Sequence, residues 1–214
     1  MNKILLLSGP NKTVGYNEEV KKVIKSNLSG KLNLVCISAC PNKYEKNDVQ
    51  VFGKNDSFGI IKMLEQCDLK IKDVYLIDAR NINNLETKKI VNADILYFMG
   101  GDPLEQNNLI INNNLLDLIK SSDAFIIGTS AGSMNIAKNT FIPKYEENPV
   151  GKFIDGFGYC DVTIVPHFDV LDKKQVDEVK AFSKVHPLIG LPNDSGIFIN
   201  GKEITFINNC YLYK

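Results

Sequence analysis

Short apolar segments alternate with longer segments of helical periodicity, and this alternation restricts the fold more than any other feature of the sequence. The apolar segments are bounded by Gly, Pro, Asn, Ser or Asp and lie at Ile4–Leu7, Leu32–Ile37, Val74–Ile77, Ile95–Met99 and Ala124–Ile127. In most of them the side chains of both parities are apolar, which is typical of strands that are covered on both faces in a parallel sheet.

Helical segments between these strands complete the repeat. They are predicted at about 17–27, 54–66, 84–92 and 104–120, with a further charged helix near 172–184. Repeated strand–helix alternation predicts an α/β fold, a three-layer αβα sandwich around a mainly parallel sheet. Towards the C-terminus, strands are predicted at Val162–Val165 and Leu188–Leu191. An antiparallel hairpin follows, turning at Asn200-Gly201, a pair that favours the positive φ angles of a tight hairpin turn. We expect one domain over residues 1–214.

Charge and composition narrow the range of partners. The chain of 214 residues carries 25 Lys and Arg against 25 Asp and Glu, a formal net charge of zero. This balance argues against a general nucleic-acid binder or a membrane-surface protein. No apolar run approaches the ~18 residues of a spanning helix, and the N-terminal apolar stretch is too short for a secretory signal peptide. Five cysteines without paired spacing favour a reducing cytoplasm.

The sharpest local motif is Gly128-Thr129-Ser130-Ala131-Gly132, which directly follows a predicted buried strand. A tight strand-to-helix turn of this Gly-x-Ser-x-Gly form needs small flanking residues and leaves the central hydroxyl exposed on a strained backbone. The helix that follows directs unpaired N–H groups to the same place, where they stabilise an oxyanion. The motif therefore predicts Ser130 as a catalytic nucleophile. A plain tight turn is the alternative interpretation.

A nucleophilic serine needs a base, and the sequence contains two histidines. His167 directly follows a predicted strand, at the strand end where α/β active sites usually lie. His186 precedes a strand and is expected to be structural. Beyond the last parallel strand, Asn193 and Asp194 are candidates to orient the base. Asp194 is preferred because it is the carboxylate of the pair, while Asp169 remains a local alternative.

A second oxyanion donor is expected from another loop at the same edge of the sheet. Gly100 and Gly101 follow the strand Ile95–Met99, and paired glycines let the backbone approach a ligand closely. We expect the N–H groups of Gly101 and Ala131 to form the oxyanion hole. Two histidines without an acidic cluster at ligand spacing make a zinc site improbable, and no metal or other cofactor is expected.

Four segments together resemble the dipeptidase E (aspartyl dipeptidase) and cyanophycinase group of serine peptidases. They occur in this order: Gly100-Gly101-Asp102, Gly128-Thr129-Ser130-Ala131-Gly132, Pro166-His167-Phe168 and Ile189-Gly190-Leu191-Pro192. The resemblance implies a class I glutamine amidotransferase-like fold and a Ser–His–Glu/Asp triad, with Ser130 as nucleophile and His167 as base. It also implies the hydrolysis of short peptides. We expect a monomer or a homodimer.

The chain departs from that family pattern in two places. Aspartyl dipeptidases carry a triad Glu after the Gly-Leu-Pro segment, where this chain continues with Asn193 and Asp194. They also bind the substrate carboxylate with an Arg that follows the base, whereas the single arginine here is Arg80. Lys173 or Lys174 could replace it only as a point charge. A preference other than strict Asp-X is therefore expected.

The sequence also admits three other interpretations. An α/β-hydrolase esterase would place the acid before the His, which would require His186 as base with Asp161 or Asp169 as acid. A cysteine-based amidotransferase is disfavoured because Ser130 occupies the turn. A non-catalytic, ligand-binding αβα domain would use the same loops to hold an anion. The loop at about 139–158, with Tyr145, Glu146 and Glu147, is a candidate to cover the site and set selectivity.

Overall fold

A seven-stranded, mainly parallel sheet forms the centre of the protein, whose computed structural model describes residues 2–144 and 150–214. From one edge to the other the strands are β11 (Glu203–Ile207), β10 (Gly196–Asn200), β1 (Ile4–Leu7), β5 (Phe125–Thr129), β4 (Ile95–Phe98), β2 (Lys31–Ile37) and β3 (Lys70–Ile77). The strands β1, β5, β4, β2 and β3 run parallel to one another. The strand β10 runs antiparallel to both of its neighbours, β1 and β11. The predicted parallel sheet and C-terminal hairpin are confirmed.

Two smaller sheets lie beside the central one. A three-stranded sheet contains β12 (Tyr211–Tyr213), β9 (Leu188–Leu191) and β8 (Ile164–Pro166), with β8 and β9 parallel. A two-stranded antiparallel pair contains β6 (Asn139–Ile142) and β7 (Lys152–Asp155). The segment predicted as a loop over 139–158 thus contains two strands. Its Tyr145, Glu146 and Glu147 lie outside the described residues.

In the described residues, the helices pack on the two faces of the central sheet, except the last one, which packs against the three-stranded sheet. They are α1 (Glu18–Asn27), α2 (Tyr44–Phe52), α3 (Ile60–Glu65), α4 (Thr87–Val91), α5 (Pro103–Ile111), α6 (Leu116–Lys120), α7 (Ala131–Ile136) and α8 (Lys173–Phe182). One apolar cluster joins α1, α2 and α3 to one sheet face, and a second joins α4 to α7 to the other. The two clusters on opposite faces of one sheet make the predicted αβα sandwich, which is confirmed.

The helix predictions differ from the structure at three places. The helix α2 was not predicted, because its sequence buries only Asn47 and Val51 and lacks a side-chain N-cap. The helix predicted over 104–120 is divided into α5 and α6 at Asn112–Asn114, where Asn114 adopts a positive φ of 54°. The helix predicted over 54–66 is limited to α3. Within the described part of the chain, none of these helices is long and apolar enough to cross a membrane.

Five chain segments meet at the carboxyl ends of parallel strands. Ser8 follows β1, Gly100 lies just beyond β4, Ser130 follows β5, His167 follows β8 and Asn193 lies just beyond β9. The carboxyl ends of parallel strands point to one side of a sheet, and loops there can bring residues distant in sequence into one site. The fold thus positions the candidate site before any side chain is considered.

Candidate active site

Ser130 stands at a sharp turn between β5 and α7. Its backbone has φ 51° and ψ −116°, a conformation that costs of order 1–3 kcal/mol for a residue with a side chain. Hydrogen bonds hold it on both sides, because its N–H donates to the Leu7 carbonyl at 2.9 Å and its carbonyl accepts from Met134 N–H at 3.0 Å. The strained residue is therefore fixed between the central sheet and the next helix.

The flanking glycines of the motif are required by close packing. A Cβ atom at Gly128 would lie 2.7 Å from the Ser133 nitrogen, and one at Gly132 would overlap the Phe98 carbonyl. Ser133 ties α7 to β1, since its hydroxyl donates to the Leu7 carbonyl at 2.8 Å and accepts from the Leu7 N–H at 2.9 Å. The tight turn predicted from the motif follows from these contacts.

Ser130, His167 and Asn193 form a continuous hydrogen-bonded chain. Ser130 Oγ lies 2.8 Å from His167 Nε2, and His167 Nδ1 lies 2.7 Å from Asn193 Oδ1. With the amide oxygen facing Nδ1, the ring proton sits on Nδ1 and donates to Asn193. Nε2 then carries the lone pair that accepts the Ser130 hydroxyl proton. The arrangement has the geometry of a nucleophile, a base and an orienting group.

The oxygen beside His167 Nδ1 thus belongs to Asn193, whereas the sequence favoured Asp194 for that position. Asp194 sits in a turn with φ 62°, and its carboxylate accepts from the Asn11 N–H at 3.2 Å. Asp169, the other candidate, accepts from the N–H of Leu171 at 2.9 Å. The left-handed φ of Asp194 directs its side chain away from that of Asn193. Asn and Asp both tolerate this backbone conformation in turns, so the sequence does not show which of the two residues adopts it.

His186 lies elsewhere in the molecule. Its ring meets Phe153 edge-to-face, with the ring centres 5.0 Å apart. Phe153 in turn packs on Phe141 and Phe182. The contact is typical of a structural histidine on an aromatic cluster.

Two residues at the end of β1 hold His167 in place, and neither was identified from the sequence. The buried Ser8 hydroxyl accepts the His167 N–H at 2.7 Å and donates to the Leu191 carbonyl at 2.8 Å. A Cβ atom at Gly9 would lie 2.8 Å from His167 Cε1 and 3.0 Å from Asn193 Oδ1. Ser-Gly after a first strand is a common loop sequence, so only the contacts disclose these roles.

Gly100 and Gly101 lie directly beside Ser130. A Cβ atom at Gly100 would be 3.5 Å from Ser130 Cβ, so the two backbones are close neighbours. Gly101 has φ 154°, and a Cβ there would lie 2.6 Å from Cys40 Sγ. Within residues 2–144 and 150–214, the N–H groups of Gly101 and Ala131 make no hydrogen bond. Both donors are thus available to a ligand.

A cavity of about 520 Å³ opens beside Ser130 and His167. The positive charges among its described lining residues are Lys12 and Lys46, on the loop after β1 and on α2, and Asp194 supplies a carboxylate. The remaining wall is largely apolar and includes Val49, Phe58, Ile60, Met63 and Tyr97. The volume suits a small ligand with an apolar part and a few polar groups.

The basic residues that the sequence offered for binding the substrate carboxylate do not line this cavity. They are Arg80, Lys173 and Lys174. Arg80 is engaged by two carboxylates, with Arg80 Nη2 2.7 Å from an oxygen of both Asp48 and Asp78. Lys173 and Lys174 begin α8 and are exposed. Lys12 and Lys46 were missed because they lie far from His167 in sequence, and because α2 was not predicted.

A chain of hydroxyl groups supports Thr129, the residue before Ser130. Tyr97 Oη lies 2.7 Å from Thr129 Oγ1 and 3.1 Å from Tyr16 Oη. Burial raises the pKa of Tyr97 to about 12, although its hydrogen bonds to Thr129 and Tyr16 oppose the shift. Tyr97 is therefore a neutral hydroxyl at neutral pH, and the wall it contributes to the cavity carries no charge.

Comparisons with known proteins show which family and which fold the chain resembles. The model of peptidase family S51 matches residues 4–207. A peptidase from an acI-B1 Actinobacterium superposes with a TM-score of 0.72 at 16% identity, covering 100% of this chain and 91% of that one. A putative peptidase E protein from Listeria monocytogenes EGD-e gives a TM-score of 0.62 at 19% identity, covering 96% of this chain and 98% of that one.

The two structural likenesses establish the fold, and the family model carries the assignment. No curated protein matches the chain by sequence. Within the described ranges, no group of three or more His, Cys, Asp or Glu side chains is arranged to hold a metal ion. Since the family model spans nearly the whole chain, the protein belongs to peptidase family S51 and is a serine-type peptidase of the dipeptidase E type.

Proposed function

We propose that the protein hydrolyses short peptides through a Ser130–His167–Asn193 triad. The observation that carries this proposal is the pair of short contacts on the two ring nitrogens of His167, 2.8 Å to Ser130 Oγ and 2.7 Å to Asn193 Oδ1. A side chain that accepts at one ring nitrogen fixes the tautomer in which the other can act as a base. Asn193 performs this orientation as a neutral amide, as Asn does in Cys-His-Asn proteases.

The reaction is acyl transfer in two steps. Ser130 Oγ attacks the peptide carbonyl carbon while its proton moves to His167 Nε2, and the oxyanion accepts from the N–H groups of Gly101 and Ala131. The tetrahedral intermediate collapses, the carbon–nitrogen bond breaks, and Nε2 returns the proton to the leaving amine. Water then attacks the acyl ester by the same route and releases the acid. Loss of one oxyanion donor typically costs ~10²–10³ in rate.

The cavity favours a substrate that carries a carboxylate. Lys12 and Lys46 supply positive charge on its lining, and the apolar wall suits a neighbouring aliphatic or aromatic side chain. A lysine ammonium acts as a point charge without the planar geometry of a guanidinium. We therefore propose selection of short peptides by charge, with less demand on the geometry of the carboxylate than an arginine would impose. The cytoplasmic location predicted from the cysteines and the oligomeric state stay predictions.

The test is a dipeptide and tripeptide library, incubated with the wild-type protein and with Ser130→Ala in parallel. We expect turnover by the wild type and its loss in Ser130→Ala, together with loss of labelling by a fluorophosphonate probe. Asp169→Asn serves as the control, because Asp169 contacts its own loop and not the imidazole. A folded wild-type protein that neither turns over peptides nor takes up the probe would support the ligand-binding αβα alternative.

A further inference from the structure

Gln50 contacts the loop beside the nucleophile through a single hydrogen bond. It lies on α2, is half-buried and lines the same cavity as Ser130 and His167. Its Nε2 donates to the carbonyl oxygen of Gly100 at 3.1 Å. The bond joins residues 50 positions apart in sequence and spans from a helix to the loop after β4. It is therefore a tertiary contact made at the site itself.

The Gly100 carbonyl belongs to the same peptide unit as the Gly101 N–H. In a planar trans peptide the C=O and N–H bonds point in opposite directions, so fixing one fixes the other. Gly101 N–H is the group assigned above to the oxyanion, and it makes no hydrogen bond within the part of the chain that the structure describes. The amide of Gln50 therefore bonds to the carbonyl side of the Gly100–Gly101 peptide, whose N–H is assigned to the oxyanion.

A peptide unit between two glycines needs such a restraint. Glycine adopts positive and negative φ with similar ease, so the plane of a Gly-Gly peptide can rotate at little steric cost. The crowded side of the loop excludes any side chain, since a Cβ at Gly101 would lie 2.6 Å from Cys40 Sγ and 2.8 Å from the Ala39 oxygen. Glycine is required for the close approach, and it leaves the orientation of the plane to be set by hydrogen bonds.

We infer that Gln50 is a positioning residue, which holds the Gly100–Gly101 peptide in the orientation that presents the Gly101 N–H to the oxyanion. The inference rests on the proposed peptidase mechanism. Gln50 acts through Gly101 and touches no reacting atom in this assignment. A preorganised donor contributes to the transition state and much less to ground-state binding. Loss of Gln50 is therefore expected to lower kcat and to leave KM nearly unchanged.

Two variants at this position separate orientation from packing. Gln50→Leu removes the donor and keeps an apolar side chain of similar size. Gln50→Glu keeps the shape, but its ionised carboxylate only accepts hydrogen bonds and repels the Gly100 carbonyl. The matched control is Gln66→Leu, because Gln66 Nε2 also donates to a backbone carbonyl, that of Val14, at 3.1 Å. It removes the same kind of bond away from the nucleophile.

The rate constant for fluorophosphonate labelling of Ser130 is the first measurement, since it requires no knowledge of the preferred peptide. Steady-state kcat and KM on the best peptide of the library are the second. We expect Gln50→Leu and Gln50→Glu to lower both the labelling rate and kcat by about 10- to 100-fold, part of the effect of losing one donor. KM should change by less than about threefold. Gln66→Leu should retain the wild-type rates.

The outcomes distinguish this inference from the proposed function. A wild-type protein that is neither labelled nor active would refute the proposed function itself. An active wild type whose Gln50 variants are folded and keep kcat within about threefold would refute the inference alone. A rise in KM at unchanged kcat would also refute it, because Gln50 would then bind substrate directly. Should Gln50→Leu fail to fold, the isosteric Gln50→Glu decides between these results.

Discussion

Replacing Gly9 by alanine tests the proposed triad, because Gly9 packs against both His167 and Asn193. The added methyl would lie 2.8 Å from His167 Cε1, whereas carbon atoms in contact rest about 3.5–4.0 Å apart. The ring must therefore move by at least about 0.7 Å, the difference between those distances. The same methyl would lie 3.0 Å from Asn193 Oδ1, so the orienting bond is disturbed together with the ring.

A displacement of this size is expected to lower the reaction rate strongly and the stability of the fold only slightly. A shift of about 1 Å in a catalytic group can cost roughly 10²-fold in rate, so we expect Gly9→Ala to lower fluorophosphonate labelling of Ser130 by about 10- to 100-fold. His167 and Asn193 are exposed at the cavity and can move outward. The melting temperature should consequently change little.

Gly30→Ala is the matched control for this experiment. Its added methyl meets no atom within 4 Å, and its φ of 86° makes alanine unfavourable there. The control therefore lowers stability without touching the site, and it should keep the wild-type labelling rate. A folded Gly9→Ala protein that is labelled as fast as the wild type would show that the His167–Asn193 contact does not set reactivity.

Three further predictions address the orienting group, the charges and the support of the base. Asn193→Ala should lower fluorophosphonate labelling at least about tenfold, while Asp194→Asn stays within about threefold; the reverse order would restore the carboxylate as orienting group. Lys46→Met or Lys12→Met should raise KM about 3- to 10-fold for peptides with an acidic group, more at low than at high salt. If the variants and the wild type had equal KM values for these peptides at every salt concentration, selection by charge would be contradicted. Ser8→Ala should lower the unfolding free energy in urea by about 1–3 kcal/mol, since the buried Leu191 carbonyl and the part-buried His167 N–H lose their partner; unchanged stability would refute that role.

The central sheet was predictable because its strands are apolar on both sides. Each predicted parallel strand of the central sheet corresponds to an observed one. The hairpin of β10 and β11 forms where it was predicted, although its loop is Gly201-Lys202 and Asn200 is the last residue of β10, paired with Glu203. Two elements without a clear apolar pattern in the sequence were not predictable. The helix α2 buries little of its surface, and β12 is a three-residue strand at the edge of the small sheet.

The residues of the candidate site could be predicted from the sequence where a motif or a place after a strand marks them. Ser130 was predicted from a motif and His167 from its place after a strand, and the structure places Ser130 Oγ 2.8 Å from His167 Nε2. The choice between Asn193 and Asp194 depended on one turn, in which Asp194 adopts φ 62°. Chemical type favoured the carboxylate, and the local backbone places the amide at the ring instead.

The end of β1 explains how two separate sheets can both contribute residues to the proposed triad. Ser130 belongs to the central sheet, whereas His167 follows β8 and Asn193 follows β9 in the three-stranded sheet. Ser8 connects them, because its hydroxyl bonds both the His167 N–H and the Leu191 carbonyl while β1 pairs with β5. The placement of the two sheets relative to each other therefore depends in part on a residue without catalytic chemistry. Since a search for acids, bases and nucleophiles cannot find such a residue, the distance between Ser130 and His167 had to come from three-dimensional contacts.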